Sequence, residues 1–371
     1  MSETAGTGLP GPQTTLFEHA LRLHRQTPDS PFHRSGEPLP DDERRRRGFR
    51  KQHLDHTRDD TAAARVLAEY FDDTSDPPVS PGELAVRLRG VPAPYCRNER
   101  IGAVVRRTPA AKVRKTGRWL VRYGTETGVV AIGLALLVEA GTARDIPRIQ
   151  TIGLLSNPFG ILAVEALARL PGGVEAQLWL AERVTGWGRV HMVHELCRQM
   201  GDHPAVRPWL LRRALDGDFL NSYFADRVAR VTALHEVLDE CGDDAEVVDQ
   251  AGRVLHVMTY CEGMGESLRH YPHGVALLEA HVRHVARLEP TAERYFAAAT
   301  VAHYLMTETL LWSEDRRLKV RWGAARAAYF ELLDREDWCE AARAGLAAGD
   351  ERLKWLADRV APVLRLRAFR K

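Results

Sequence analysis

Apolar residues recur three and four positions apart in nearly every segment after residue 58, as in AAARVLAEYF from Ala62, AIGLALLVEA from Ala131 and RLKWLADRVAPVLRL from Arg352. That spacing lines one face of a 3.6-residue helix, whereas a half-buried strand needs a period of two. Alternating runs flanked by turn pairs are essentially absent, so an all-α protein is expected. A second constraint lies above the helices. IGLALLVEAGTARDIPRIQTIGLL from Ile132, ILAVEALARLPGGVEAQLWLAERV from Ile161 and VHMVHELCRQMGDHPAVRPWLLRRA from Val190 overlay at a constant 29-residue offset. Leu137, Leu167 and Leu196 close the first helix of each pair, and short loops carrying Gly141, Pro171-Gly172 and Gly201 lead into the second. Such a hairpin cannot cover its own apolar face, and stacking copies side by side does. The expected architecture is an α-solenoid of antiparallel helix hairpins, extended by helices at both ends.

Four regions follow. Residues 1–58 are rich in Pro, Gly, Ser and charge around one amphipathic stretch, TLFEHALRLHRQ; 1–12 and 28–57 lack the apolar surface that would offset the cost of ordering. Residues 59–124 form an N-terminal helical region, 125–305 the repeat array with an extra helix around Phe219–Arg230, and 306–371 a helical cap containing Trp322, Trp338 and Trp355. No secretory leader is expected from MSETAGTGLPGPQ. The longest apolar run, Val129 to Val138, is too short to span a bilayer and reads as a buried helix. Five scattered cysteines form neither a CxxC pair nor a disulfide spacing, so a reduced, cytoplasmic protein with no membrane partner is expected. Arginine outnumbers lysine throughout, as a GC-rich, bacterial-type coding sequence would produce.

The hairpins, together with phrases such as AVRPWLLRRALDGD at 205–218, resemble the HEAT-like α-solenoid superfamily over roughly 125–305. Within them two stretches echo each other: HELCRQMGD at 194–202 and HEVLDECGD at 235–243, each a His-Glu dyad with glycine seven residues after the histidine. At 100° per residue, His194 and His235 flank the apolar stripes of their helices, while Glu195 and Glu236 point away from them. The echo is similar to deoxyhypusine hydroxylase, a HEAT-like di-iron enzyme built on such dyads. That resemblance implies His194, Glu195, His235 and Glu236 as ligands to iron or another transition metal, and a non-haem oxygenase activity. The chain departs from the family by carrying two dyads instead of four, and their 41-residue spacing exceeds this chain's own 29-residue unit because of the extra helix. The alternative reading is that the dyads belong to the repeat architecture and hold no metal.

Other candidates concern binding. In TGWGRVHM, Gly186 and Gly188 open a helix whose N–H groups are expected to face an anion, with Trp187 and Arg189 on a binding surface. Packing of Trp187 between hairpins is the alternative. From Arg97 to Arg122 nine Lys/Arg face one acid, Glu99. Arg107, Arg114, Lys115, Arg118 and Arg122, with Trp119 among them, can track a phosphate backbone. HEAT-like alkylpurine DNA glycosylases imply that such an array can cradle DNA, but no aspartate matching their catalytic residue can be placed near Trp187. No Walker A, GxGxxG, GxSxG or HEXXH sequence occurs, and no catalytic residue is assigned. The expected function is therefore non-catalytic binding or scaffolding with a protein partner foremost. The alternatives are the His-Glu metal oxygenase and a nucleic-acid-binding protein led by 97–122.

Overall fold

The computed structural model describes residues 14–31, 38–43, 61–240, 244–308 and 315–370. Those residues are all-α: twenty α-helices and short 3₁₀ turns, no strand, and a single isolated bridge between Glu262 and Gly265. No helix among them is long and apolar enough to cross a membrane. The chain divides into two compact units, Met1–Glu195 and Leu196–Lys371. The regions bounded near 58, 124 and 305 in the sequence are a division of another kind, by repeat pattern and charge. Helix Ala110–Tyr123 makes its most extensive contact with Thr127–Ala140 across residue 124, and helix Ala292–Thr307 runs through 305 to pack on Arg316–Leu333. Composition marks chemical texture, whereas a unit boundary falls where few contacts cross.

The first unit begins with α1 (Leu16–Gln26), α2 (Ala62–Asp72), α3 (Pro81–Arg87) and α4 (Glu99–Arg106). Next come α5 (Ala110–Tyr123), α6 (Thr127–Ala140) and α7 (Ile146–Gly153), then α8 (Gly160–Ala168) and α9 (Gly173–Ala181). The division falls within α10 (Gly186–Gln199). Helix α6 is apolar all round, and a helix of that kind belongs in a core. Val130, Ile132, Leu134, Leu136 and Leu137 have no exposed surface, because α4, α5 and α8 surround them. Helices α5 and α6 approach so closely that a Cβ on Gly133 would lie 2.8 Å from Leu120 Cβ and 3.0 Å from the Val121 nitrogen. A Cβ on Gly117 would lie 3.1 Å from the Gly133 carbonyl oxygen.

Helix α6 packs on α8, and α7 packs on α9. Leu137, Leu167 and Leu196 are all buried.

The amphipathic stretch of the N-terminal region is the helix α1, whose Leu16 and Ala20 are fully buried as it packs on α5 and α7; the departure lies in 28–57. Asp41 is also buried and accepts hydrogen bonds from the Thr127 N–H (2.7 Å) and hydroxyl (2.9 Å), closing the N-terminus of α6. Arg183 donates to the Pro28 carbonyl at 3.1 Å. One carboxylate at a helix start ties down a segment whose composition lacks apolar anchors. Residues 1–12, most of 28–57, Cys241 and the Gly242-Asp243 end of the second echo lie outside the described residues.

The second unit contains α11 (Arg207–Arg213), α12 (Ala225–Val231), α13 (Leu234–Glu240), α14 (Ala245–Met258) and α15 (Gly274–Val285). It continues with α16 (Ala292–Thr307), α17 (Arg316–Leu333), α18 (Glu336–Ala347), α19 (Glu351–Arg359) and α20 (Ala361–Leu364). Helices α13, α15 and α17 pack in one row, and α11, α14, α16 and α19 in another. Arginine–carboxylate pairs join next-but-one helices within these rows. Arg253–Glu293 and Arg294–Asp249 link α14 to α16 reciprocally, Arg321–Glu279 links α17 to α15, and Arg283–Asp239 links α15 to α13. Each exposed pair contributes about 0–1 kcal/mol, so the pairs select register more than they hold the core. In the C-terminal part, Trp322 and Trp338 are buried while Trp355 is about half exposed.

The glycine contacts yield a stability test. Gly133→Val drives a branched side chain into the α5 backbone and is expected to cost about 2–3 kcal/mol. Gly323→Ala in α17 has nothing within 4 Å of its Cβ and is expected to be neutral or to stabilise by up to about 1 kcal/mol. Thermal denaturation followed by circular dichroism distinguishes the two, and equal shifts would contradict the close approach of α5 and α6.

Candidate functional site

The sequence of α5, AAKVRKTGRWLVRY, sorts its residues by face. Val113, Thr116, Gly117, Leu120 and Val121 are buried. Arg114, Arg118 and Arg122 recur at four-residue intervals on the opposite side, and Lys115, Trp119 and Tyr123 form a second row beside them. Four residues of helix rise by about 6 Å, so each row carries a side chain roughly every 6 Å. Both rows line a cavity of about 420 Å³, which Ala111 and, from α7, Arg148 complete. Four of the five expected basic residues, Arg114, Lys115, Arg118 and Arg122, thus meet Trp119 at one place. Arg107 is the exception. It lies outside the lining, 3.7 Å from Asp72. Arg97 is likewise turned elsewhere, with its Nε on Glu139 at 2.6 Å.

Local bonds position most of these cations. Arg114 donates to the Ala140 carbonyl at 3.0 Å, near the end of α6 where unpaired carbonyls collect negative potential. Arg118 grips Asp145 with two bonds, Nε to Oδ1 at 2.6 Å and Nη2 to Oδ2 at 3.0 Å, and Nη2 also reaches Thr142 Oγ1. Asp145 is fully buried. Burial alone would raise its pKa, but bonds from Arg118 and from the Thr142 N–H and hydroxyl outweigh it and hold the carboxyl below 3.8. The Arg122 guanidinium lies 4.6 Å from the Phe17 ring centroid and 3.7 Å from Glu18. Arg148 is 3.9 Å from Asp145. Lys115 is exposed and makes no ion pair among the described residues. Five cations thus face two carboxylates, leaving the cleft net positive. Trp119 and Tyr123 are tilted at 43° with ring centroids 5.4 Å apart, and Tyr123 is 53% exposed.

The TGWGRVHM phrase serves mainly internal ends. Arg189 is buried, not a surface cation, and donates to the Ala181 and Val184 carbonyls at 2.7 and 3.5 Å, satisfying groups at the end of α9. The Gly188 N–H expected to face an anion is taken by Ser156 Oγ at 2.9 Å, and Ser156 in turn donates to the Thr185 carbonyl. Trp187 remains 40% exposed and stacks on His191 at 5.9 Å.

The two His-Glu dyads prove unlike. Glu195 does not point cleanly to solvent. It is half-buried near Glu165 of α8, whose pKa is raised chiefly by burial, with Glu195 adding to the effect and the Arg97 N–H opposing it. Its neighbour His194 is also half-buried and lies near His191. In the second unit, His235 stacks on His273 with ring centroids 3.8 Å apart, and burial followed by the His273 charge lowers its pKa. Glu236 is exposed, 3.7 Å from His235 Nε2. Among the described residues, no group of three or more His, Cys, Asp or Glu side chains is placed to hold a metal ion. Each dyad therefore has neighbours that differ from the other's.

Sequence reasoning missed two features. Arg148 joins the cleft from a different helix, so no local pattern flags it; Tyr123 was not singled out either, although its four-residue spacing from Trp119 and Lys115 was there to flag it. In the second unit a row of rings runs from Phe219 to Tyr260 (6.4 Å), His256 (5.1 Å), Phe296 (5.0 Å) and Trp355 (6.1 Å). These residues come from four separate segments and share no sequence signal. His256 is bonded to Thr300 Oγ1 at 2.8 Å, and burial lowers its pKa to about 4. The buried thiols of Cys197 and Cys261 are pushed up to about 12 and about 11, chiefly by burial, as expected of packed groups.

Asp145→Asn removes the partner of Arg118 and is expected to destabilise the protein by about 2 kcal/mol at pH 7. The folded pKa is depressed, so this contribution is complete above the unfolded value of about 3.9 and fades as pH falls through the folded one. Stability measured from pH 7 to pH 2.5 should show the wild type and variant converging in acid. A gap that persists or widens below pH 3 would count against the assignment. No protein-family model, no curated protein and no solved structure matches this chain.

Proposed function

We propose that this is a non-catalytic binding protein, a HEAT-like stack of helix pairs whose first unit holds nucleic acid along α5. The observation that carries this reading is the 420 Å³ cleft that joins Arg114, Lys115, Arg118, Arg122 and Arg148 to Trp119 and Tyr123. Guanidinium and ammonium groups attract phosphates, and aromatic rings stack on bases. The side chains on display supply binding chemistry rather than an acid–base pair. Support for the stacked architecture comes from the 29-residue offset, the packing of α6 on α8 and of α7 on α9, and the next-but-one contacts of the second unit. A cytosolic setting belongs to the same proposal.

The second unit favours a further reading as a protein-docking scaffold. Phe219, Tyr260 and Trp355 are 52%, 38% and 49% exposed, and Arg352, over the Phe296 ring, is neutralised by Asp350. Exposed rings with balanced charge are typical of surfaces that meet other proteins.

Fluorescence anisotropy with a labelled oligonucleotide, titrated at several salt concentrations, tests the leading reading. Wild-type affinity should fall steeply with salt. Arg114→Glu/Lys115→Glu should weaken binding by at least about tenfold and reduce the log–log salt slope by about 1.4, or 0.7 per lost phosphate contact. A folded double variant that binds with unchanged affinity and slope would sink the proposal.

A further inference from the structure

We infer that the ligand of the α5 cleft is a single strand, lying parallel to the helix with its phosphates over the Arg114–Arg118–Arg122 row and a base on Tyr123. This rests on the proposed nucleic-acid reading and narrows it. The decisive geometry is the pairing of two unlike rows on one helix. One is wholly cationic, and the other passes from Lys115 through Trp119 to Tyr123. Their common repeat of about 6 Å is set by the helix, and it is comparable to the separation of successive phosphates on an extended strand. A strand running along α5 would place its backbone on the first row and its bases on the second.

Duplex fits this arrangement poorly. Its bases are stacked and paired inside, so rings lying directly beside the phosphate contacts would meet sugar edges. A single strand can turn bases outward, and each base–aromatic stack tolerates any sequence. The rings are prepared for that role to different degrees. Trp119 is half-buried, with its indole over Gly82 of α3, and therefore fixed. Tyr123 ends the helix and is more than half exposed, 5.4 Å from Trp119. The cations are also held in place before any ligand arrives. Arg118 is fixed by Asp145 and Arg122 by Phe17 and Glu18, so little side-chain freedom is lost on binding. From Lys115 to Tyr123 the helix rises about 12 Å, room for two or three nucleotides.

The test uses the full chain and three probes: a fluorescein-labelled 12-nucleotide oligothymidylate, a labelled 12-base-pair duplex, and inorganic polyphosphate as competitor. Oligothymidylate is expected to bind at least about tenfold more tightly than duplex at equal salt. Tyr123→Ala should weaken oligothymidylate binding by roughly tenfold, the loss of one base–aromatic stack. Tyr123→Phe should restore it, and Tyr123→Ala should leave competition by polyphosphate unchanged. Oligothymidylate should also quench tryptophan fluorescence, and Trp119→Phe should abolish that part of the signal. Because Tyr123 is exposed at a helix end, the melting temperature of Tyr123→Ala should match wild type. If duplex and polyphosphate bind as tightly as oligothymidylate and Tyr123→Ala changes nothing, the single-strand inference is overturned while the cleft stands as a polyanion site. If no probe binds, the nucleic-acid reading itself falls, and this inference falls with it.

Discussion

The close contact of α5 with α6 at Gly117 and Gly133 is the constraint on which the first unit depends. Two helices whose backbones approach this closely must bury their facing sides completely. Helix α6 is apolar on all sides and vanishes into the core, so its neighbours take positions dictated by it. Helix α5 is apolar on one side only. Pressing that side against α6 forces the arginine row and the lysine–aromatic row together onto the outside. The same contact carries the ends of α6 to defined places: its C-terminus toward Arg114 and the following turn toward Arg118. The charged face and the core are two consequences of one packing decision.

Buried carboxylates then secure what the apolar contacts leave loose. Asp145 is stable as an anion only because Arg118 and Thr142 surround it, which fixes the turn between α6 and α7 and one cation of the cleft together. Asp41 performs a similar task at the other end of α6 from a segment 86 residues away. In the second unit the reciprocal pairs Arg253–Glu293 and Arg294–Asp249 lie across the same two helices. The abundance of arginine therefore has a structural use within each unit, separate from the cleft. Its planar fork suits two-point contact with a carboxylate in a way lysine does not.

The two His-Glu stretches share a sequence pattern but not their surroundings. Equal positions on equivalent helices imply equal environments only when the neighbouring helices are equal too. Glu195 faces Glu165 on α8, while Glu236 faces solvent beside a stacked pair of histidines. An angular argument along a single helix reports which way a residue leaves its own axis. It cannot report what stands opposite.

The sequence by itself determined the all-α class, the buried character of Val129–Val138 and the basic amphipathic face of α5. Each is a periodic property of one segment, and periodicity survives without knowledge of the neighbours. Tertiary structure alone decided that Arg148 joins that face, that Arg189 is buried on the end of α9, that Asp41 closes α6, and that the contact-based units divide within α10. It also assembled the ring row from Phe219 to Trp355. These depend on which surfaces meet across long stretches of chain, and that choice is made by packing complementarity, which no local pattern encodes.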